Sequence, residues 1–243
     1  MPKSKELRNR AWQALSEGAY WPYVGAIIVL SLIAVAIVVP VIIVFVLVAC
    51  FCEGVSEDAL VPISGLIGCL AAIPIIYYVG LSTYSCARMS LAVMRREMKF
   101  ELFWSGWGHG WKMLWLILVQ SMYIQLWAIL FIIPGIVKAF SYSMAEFVAV
   151  DHPEWTANQC ITESRRLMRG NKWRFLCLGC SFIGWGILAM FASMIPYTCG
   201  LAQHFLTPYF SSAFAAFYEE LKARAESPRD AAAIPAEEFT GYI

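Results

Sequence analysis

Charged side chains are scarce in this sequence: Asp, Glu, Lys and Arg make up only 14% of it, whereas 60% of its 243 residues are hydrophobic. A soluble globular domain carries about 25% charged residues, so the composition argues against a soluble protein. Several apolar runs reach the ~20 residues that a helix needs to cross a hydrocarbon core. These runs also lack the alternation of apolar and polar residues that barrel strands require. We therefore predict an all-α, polytopic membrane protein.

Residue patterns for catalysis and metal binding are lacking as well. The only histidines, His109, His152 and His204, are scattered along the chain. We find no Ser-His-Asp order, phosphate-binding loop or carboxylate pair at catalytic spacing. Cys177 and Cys180 have the spacing of a redox or metal pair, but they lie in an apolar helix without a second pair, so we interpret them as packing residues. We predict a non-enzymatic protein with no metal and no cofactor.

Six apolar segments are predicted to cross the membrane as three hairpins. They form one domain over residues 1–221, which is followed by a disordered cytoplasmic tail over residues 222–243. The segments are at about 24–50, 60–84, 113–133, 136–150, 173–195 and 201–218. We expect the chain to reverse at Pro134-Gly135, between the third and fourth segments. The sequence does not decide whether a disulfide forms among the cysteines near the predicted outer face, which are Cys50, Cys52 and Cys199.

The distribution of basic residues predicts how the chain is oriented in the membrane. With six spans, every Lys and Arg except Lys138 falls on one side of the membrane. Cytoplasmic loops carry an excess of Lys and Arg, so both termini are predicted to be cytoplasmic. If residues 113–150 were one kinked span, the basic clusters at 88–112 and 165–174 would lie on opposite faces. We therefore favour a helical hairpin over a kink.

Amphipathic helices are predicted on the cytoplasmic face, at about residues 4–17 and Thr156–Arg169, with Thr156 as an N-cap. A Gly-x-x-Trp sequence leads into the first, third and fifth spans, at residues 18–21, 108–111 and 170–173. Gly can end a surface helix, and Trp prefers the headgroup level. The protein can thus be divided into three units, each an interfacial helix plus a two-span hairpin. Whether these units reflect duplication stays open.

The basic and aromatic side chains of this face form one candidate site. Each cation near the surface contributes ~1 kcal/mol to binding anionic lipids, but the same charges are needed to orient the spans, so both interpretations stand. Predicted partners are membrane lipids, with a protein partner or a second copy of the chain also possible and no nucleic acid. The candidate headgroup contacts are Arg95, Arg96, Arg165, Arg166, Trp21, Trp111 and Trp173.

A second candidate site lies in the fourth span. Lys138, Tyr142 and Glu146 are spaced i, i+4, i+8 and share one helical face. Ionisable groups inside a membrane are costly unless they are paired or hydrated, so such residues suggest a site. Gln120 and Gln125 of the third span could face them. The competing interpretation is that Lys138 and Glu146 extend to opposite membrane surfaces and have no function.

Several sequence elements together resemble a known family. They are FIIPGIVKAFSYSM at residues 131–144, Asp151-x-Pro153, Ser164-Arg165, Gly170-Asn-Lys-Trp-Arg174 and Phe182-Ile-Gly-Trp185. This combination resembles the bacterial integral membrane family catalogued as domain of unknown function 975, with His152 where Asn is expected. The resemblance implies a six-span protein of the bacterial cytoplasmic membrane and brings no known reaction, cofactor or partner. More loosely, the architecture is similar to membrane domains attached to some glycerophosphodiesterases, which points towards lipids.

We therefore predict an integral membrane protein that engages lipids or partner proteins through its cytoplasmic face. The alternative is a small-solute transporter or channel-like protein with its site around Lys138, Tyr142 and Glu146. Composition and spacing alone do not choose between these functions.

Overall fold

The computed structural model describes residues 4–51, 57–99, 101–104, 106–193 and 201–226. All regular elements in these residues are helical, which confirms the predicted all-α class. Residues 52–56 and 194–200, which include Cys52 and Cys199 near the predicted outer face, lie outside the described residues. The helices are α1 (Ser4–Ala14), α2 (Tyr20–Phe51), α3 (Glu57–Met94), α4 (Glu101–Trp104), α5 (Gly110–Leu130), α6 (Ile132–Tyr142), α7 (Ala145–Asp151), α8 (Ala157–Met168), α9 (Lys172–Cys180), α10 (Ile183–Ser193) and α11 (Leu201–Ala225).

Four segments of the described chain are long and apolar enough to cross a membrane: Ser4–Val48, Gly65–Met94, Glu101–Leu130 and Ile132–Asp151. They overlap the first four predicted spans. The predicted span 173–195 is divided between α9 and α10 by a turn. The remaining predicted span, 201–218, lies in α11 and contains polar residues such as Ser211 and Ser212, and it is not among the four.

Burial is concentrated in one half of the molecule. Tyr23, Met113 and Phe217 are fully buried there, together with much of α7, α8 and the C-terminal part of α11. In the other half the helices expose apolar side chains, and Ile129 is 84% exposed and Ile133 77% exposed. A large exposed apolar surface of this kind is what lipid would cover.

Contacts between consecutive long helices pair residues in reverse order. Such pairing identifies antiparallel neighbours, because residues further along one helix meet earlier residues of the next. Between α2 and α3, the pairs are Tyr23 with Cys86 (3.0 Å) and Leu30 with Tyr78 (3.0 Å). Between the α9–α10 segment and α11, they are Arg174 with Glu220 (2.8 Å) and Phe182 with Phe210 (ring centroids 4.7 Å).

The reversal between α5 and α6 lies at Phe131, not at Pro134-Gly135 as predicted. Phe131 is extended, with φ −156° and ψ 136°. Pro134 falls in the first turn of α6, where its missing N–H breaks no helical hydrogen bond. Gly135 is needed for a different reason: a Cβ there would lie 2.8 Å from the Cα of Ala128. The glycine therefore lets α6 pack closely against α5.

The predicted helix over residues 136–150 is interrupted at Ser143 and Met144, where α6 gives way to α7. The buried hydroxyl of Ser164, in α8, occupies the break. It donates to the Ser141 carbonyl (2.9 Å) and accepts from the Met144 N–H (3.2 Å). The polar backbone groups of a broken helix must find partners in an apolar environment, and Ser164 supplies them.

Two of the three Gly-x-x-Trp sequences have the helix-ending glycine that was predicted. Gly18 has φ +104° and Gly170 has φ +77°, a conformation that favours glycine. Gly108 instead lies within a short 3₁₀ turn, Trp107–His109, and has no positive φ. The tryptophans Trp21, Trp111 and Trp173 are all largely exposed.

Both predicted amphipathic helices are present, as α1 and α8. Thr156 is the N-cap of α8, as predicted, and its backbone N–H donates to Gln159 Oε1 (2.8 Å). The predicted disordered tail begins too early, because α11 continues to Ala225 and its last turn contains Lys222 and Arg224. Residues 227–243 of that tail lie outside the described chain.

Gly80 allows the closest approach between α3 and α5. A Cβ at Gly80 would lie 2.3 Å from the Gly110 carbonyl oxygen and 2.9 Å from Leu114 Cβ. Small residues at such crossings let helix backbones meet in membranes.

Replacing Gly80 with Ala should destabilise the protein, because the backbone of α5 must move away. Overpacking of this kind costs about 1–3 kcal/mol, which lowers the melting temperature in detergent by several degrees. Gly65→Ala, in the same helix but with open space around it, is the matched control. Equal melting temperatures for the two variants would contradict the close contact.

Replacing Ser164 with Ala should also destabilise the protein, since the buried Met144 N–H would lose its acceptor. The expected cost is about 1–3 kcal/mol in thermal unfolding. Ser121→Ala is the control, because that exposed hydroxyl bonds only to a carbonyl of its own helix. If Ser164→Ala and Ser121→Ala melt alike, Ser164 does not hold the break.

Candidate functional site

Asp151, at the end of α7, organises the charged side chains. Its side chain is 3% exposed and accepts hydrogen bonds from Arg95 (2.8 Å), Lys222 (2.7 Å) and the Tyr218 hydroxyl (3.0 Å). Arg95 also donates to Glu219 (2.8 Å). This network joins the C-terminal ends of α3, α7 and α11, and we call this part of the molecule the charged end.

Most of the predicted lipid-binding arginines have carboxylate partners. Arg95 is paired as above, Arg96 contacts Glu17 (3.0 Å), and Arg166 donates to Glu163 (2.8 Å). The hydrogen bonds to Glu163 raise the pKa of the Arg166 guanidinium. Because these charges are already compensated, they are weaker candidates for headgroup contacts than the sequence indicated.

Arg165 differs from the other predicted arginines. It is exposed, and it lies within electrostatic range of Lys138. Lys172, at the start of α9, lies within the same range of Lys138. Among the described residues, none of these three side chains has a carboxylate partner. We call Lys138, Arg165 and Lys172 the basic cluster.

Aromatic and amide groups border the basic cluster. Lys138 Nζ lies 4.6 Å from the centre of the Trp127 ring, which attracts a cation. The buried ring of Tyr142 lies 6.4 Å from that of Tyr123, whose hydroxyl donates to Asn158 Oδ1 (3.4 Å). Asn158 also carries a side-chain NH₂ group, which can donate hydrogen bonds. The cluster thus offers positive charge and N–H groups, which suit an anion.

The predicted stripe of Lys138, Tyr142 and Glu146 is divided by the helix break. Lys138 and Tyr142 lie beside α5 and α8. Glu146 lines a different space, a cavity of about 430 Å³ bordered by α3 and α11. Its carboxylate has no hydrogen bond or ion pair with any residue in the described part of the chain. The three residues therefore border two environments instead of one.

The two glutamines predicted to face this stripe do not contact it among the described interactions. Gln120 is half-buried, and its Oε1 has no hydrogen-bond partner in the described chain. Gln125 is exposed on α5. Neither contributes to the basic cluster or to the cavity as the structure places them.

Sequence reasoning did not select Asp151, Trp127 or Lys172 as site residues. Asp151 appeared in the sequence only within the Asp151-x-Pro153 element, because the basic residues that contact it in the structure lie 56 and 71 residues away along the chain. Lys172 had been counted only for orientation. No group of three or more His, Cys, Asp or Glu side chains that could hold a metal occurs in the described residues.

Replacing Asp151 with Asn should loosen the charged end, because Arg95 and Lys222 would lose their shared counter-charge. Removing one member of a buried ion pair costs on the order of 3 kcal/mol, measurable as a lower melting temperature in detergent. Glu154→Gln is the matched control, since that carboxylate is 65% exposed and, among the described residues, pairs only with His152. An Asp151→Asn melting temperature equal to that of Glu154→Gln would refute the central role of Asp151.

The match with a known family falls in the part of the chain that contains Asp151 and the basic cluster. No curated protein and no solved structure matches the sequence. The model of a family described as "Protein of unknown function (DUF975)" matches residues 115–225, from early α5 to the end of α11. This region contains Asp151, Ser164 and all of the basic cluster. Residues 115–225 therefore match the DUF975 family model, in agreement with the resemblance seen in the sequence.

Proposed function

We propose that this protein is a non-enzymatic, six-span component of the bacterial cytoplasmic membrane that binds anionic lipid headgroups at its basic cluster. One observation carries the proposal: Lys138 lies within electrostatic range of both Arg165 and Lys172, and none of the three has a carboxylate partner in the described chain. By contrast, Arg95, Arg96 and Arg174 are each paired with a carboxylate.

The proposed topology has both termini in the cytoplasm. The antiparallel pairing of α2 with α3, α5 with α6, and α9–α10 with α11 supports three hairpins. The charged end carries most of the ion pairs, and basic residues favour the cytoplasmic side. In this arrangement the charged end lies at the inner headgroup layer, where anionic lipids are available.

Phosphate is the ligand group that fits the basic cluster best. The guanidinium of Arg165 can donate two parallel hydrogen bonds to a phosphate, and Lys138 and Lys172 add charge without geometric demands. Trp127 and Tyr123 provide apolar ring surface beside these cations. A phospholipid combines such a headgroup with apolar chains, which the exposed faces of α5 and α6 would accept.

The position of α8 supports a ligand from the membrane surface. Its apolar residues Cys160, Ile161 and Leu167 are buried against the helical core, and Arg165 points away from that face. An amphipathic helix of this kind lies at the interface and presents its cations to headgroups.

The alternative function, a transporter or channel-like protein, would need Lys138, Tyr142 and Glu146 along one path. These side chains border different spaces on either side of the helix break. We therefore place lipid binding first. Glu146 is considered separately below.

Replacing Lys138, Arg165 and Lys172 together with Gln should weaken binding of anionic phospholipid. At ~1 kcal/mol for each cation, the affinity should fall about 100-fold. The measurement is lipid retention by native mass spectrometry, after titrating the purified protein with phosphatidylglycerol.

The control removes the same charge elsewhere, as Lys5→Gln, Arg10→Gln and Lys99→Gln. This variant should retain anionic lipid nearly as the parent does. If both triple variants lose lipid equally, total charge matters and the cluster does not. If the first variant keeps its lipid but loses a co-purifying protein, the ligand is a protein partner and the lipid proposal fails.

A further inference from the structure

The cavity at Glu146 contains several hydroxyl groups. It has a volume of about 430 Å³, within the range of small-molecule sites. It lies between α3, α7, α9 and α11, on the other side of the helix break from the basic cluster. Besides Glu146, the polar side chains that line it include Ser82, Thr83, Ser90, Ser143 and Ser211.

These hydroxyl groups already use their protons. Each donates to a backbone carbonyl of its own helical segment, and a hydroxyl has one proton but can accept two hydrogen bonds. Their oxygens therefore offer lone pairs to the cavity and no free donor, and the Ser211 oxygen also shares a hydrogen bond with the Tyr23 hydroxyl (2.7 Å). The bonds run from Ser82 to Val79 (3.0 Å), Thr83 to Val79 (2.9 Å), Ser90 to Ala87 (2.8 Å), Ser143 to Phe140 (3.0 Å) and Ser211 to Thr207 (2.8 Å).

Glu146 adds a negative charge to these acceptors. Its carboxylate has no hydrogen bond or ion pair among the described residues, and the residues that line the cavity include no Lys, Arg or His. A carboxylate held away from bulk water is costly unless a cation or a donor compensates it. The cavity is therefore complementary to a positively charged group that carries its own N–H donors.

Aromatic rings form part of the cavity wall. Phe147, Phe175 and Phe214 line it, and the rings of Phe175 and Phe214 lie 5.3 Å apart. Phenyl faces attract organic cations. A metal ion such as Ca²⁺ would instead take six to eight oxygen ligands, usually with several carboxylates. A single carboxylate with phenyl walls favours an organic ammonium group.

We propose that the cavity binds a small primary ammonium group, with its N–H donors directed to Glu146 and to the surrounding hydroxyl oxygens. The ammonium of an ethanolamine lipid headgroup and that of a free amine share this chemistry. The site is distinct from the basic cluster, which carries the opposite charge, so the two sites can be tested independently.

The test is the melting temperature of the purified protein in detergent, titrated with ethylammonium chloride. Sodium chloride at equal ionic strength and ethanol as a neutral analogue are the reference titrations. We expect a saturable rise for the parent and for Glu97→Gln, which removes an exposed carboxylate elsewhere. Glu146→Gln should need at least about tenfold more ethylammonium, since it removes a charged hydrogen-bond acceptor. Glu146→Asp keeps the charge and should retain the response.

The parent alone can overturn the proposal: an ethylammonium effect no larger than that of sodium chloride excludes the site. An equal response of the parent and Glu146→Gln would exclude Glu146 as its centre.

Native mass spectrometry of protein purified from membranes identifies the source of the ammonium. Ethanolamine phospholipid retained by the parent and lost in Glu146→Gln supports a lipid headgroup. Saturable ethylammonium binding without retained ethanolamine lipid supports a free amine.

Discussion

The carboxylate of Asp151 is the interaction on which the rest of the structure depends. The halves of the helices that lie away from the charged end carry many exposed apolar side chains and few buried ones, so the alignment of the helices is set at the charged end. There Asp151 joins α7 to Arg95 of α3 and to Tyr218 and Lys222 of α11. Because α7 is only seven residues long, fixing its last residue also fixes Glu146 one turn and a half earlier.

The helix break next to α7 gives one segment two different surroundings. An unbroken helix would have kept Lys138, Tyr142 and Glu146 on one face. With the break at Ser143 and Met144, the lysine stays beside Arg165 and Lys172, whereas the carboxylate turns towards α3 and α11. Opposite charges separated by eight residues thus serve spaces of opposite character.

Sequence patterns predicted the features that depend on local chemistry. The apolar runs predicted the long helices α2, α3 and α5, and Thr156 and Gly170 marked helix ends. The charge pattern could not show that Arg95 is neutralised, because its partners lie 56 and 124 residues away in sequence. Likewise the serines around Glu146 come from helices far apart along the chain, and helical periodicity does not show which faces will meet. The predicted position of the reversal was wrong because Pro134, which suggested a corner, is also tolerated within the first turn of a helix.

The positions of the Asp151 partners along the sequence have a consequence for biosynthesis. Membrane helices enter the bilayer in the order in which the ribosome delivers them, and Tyr218 and Lys222 follow Asp151 by 67 and 71 residues. Of the described partners of Asp151, only Arg95 has been synthesised before α11 is made. Synthesis of α11 then supplies the other two partners, Tyr218 and Lys222. A nascent chain that stops before α11 therefore lacks two of the partners of Asp151 at the charged end.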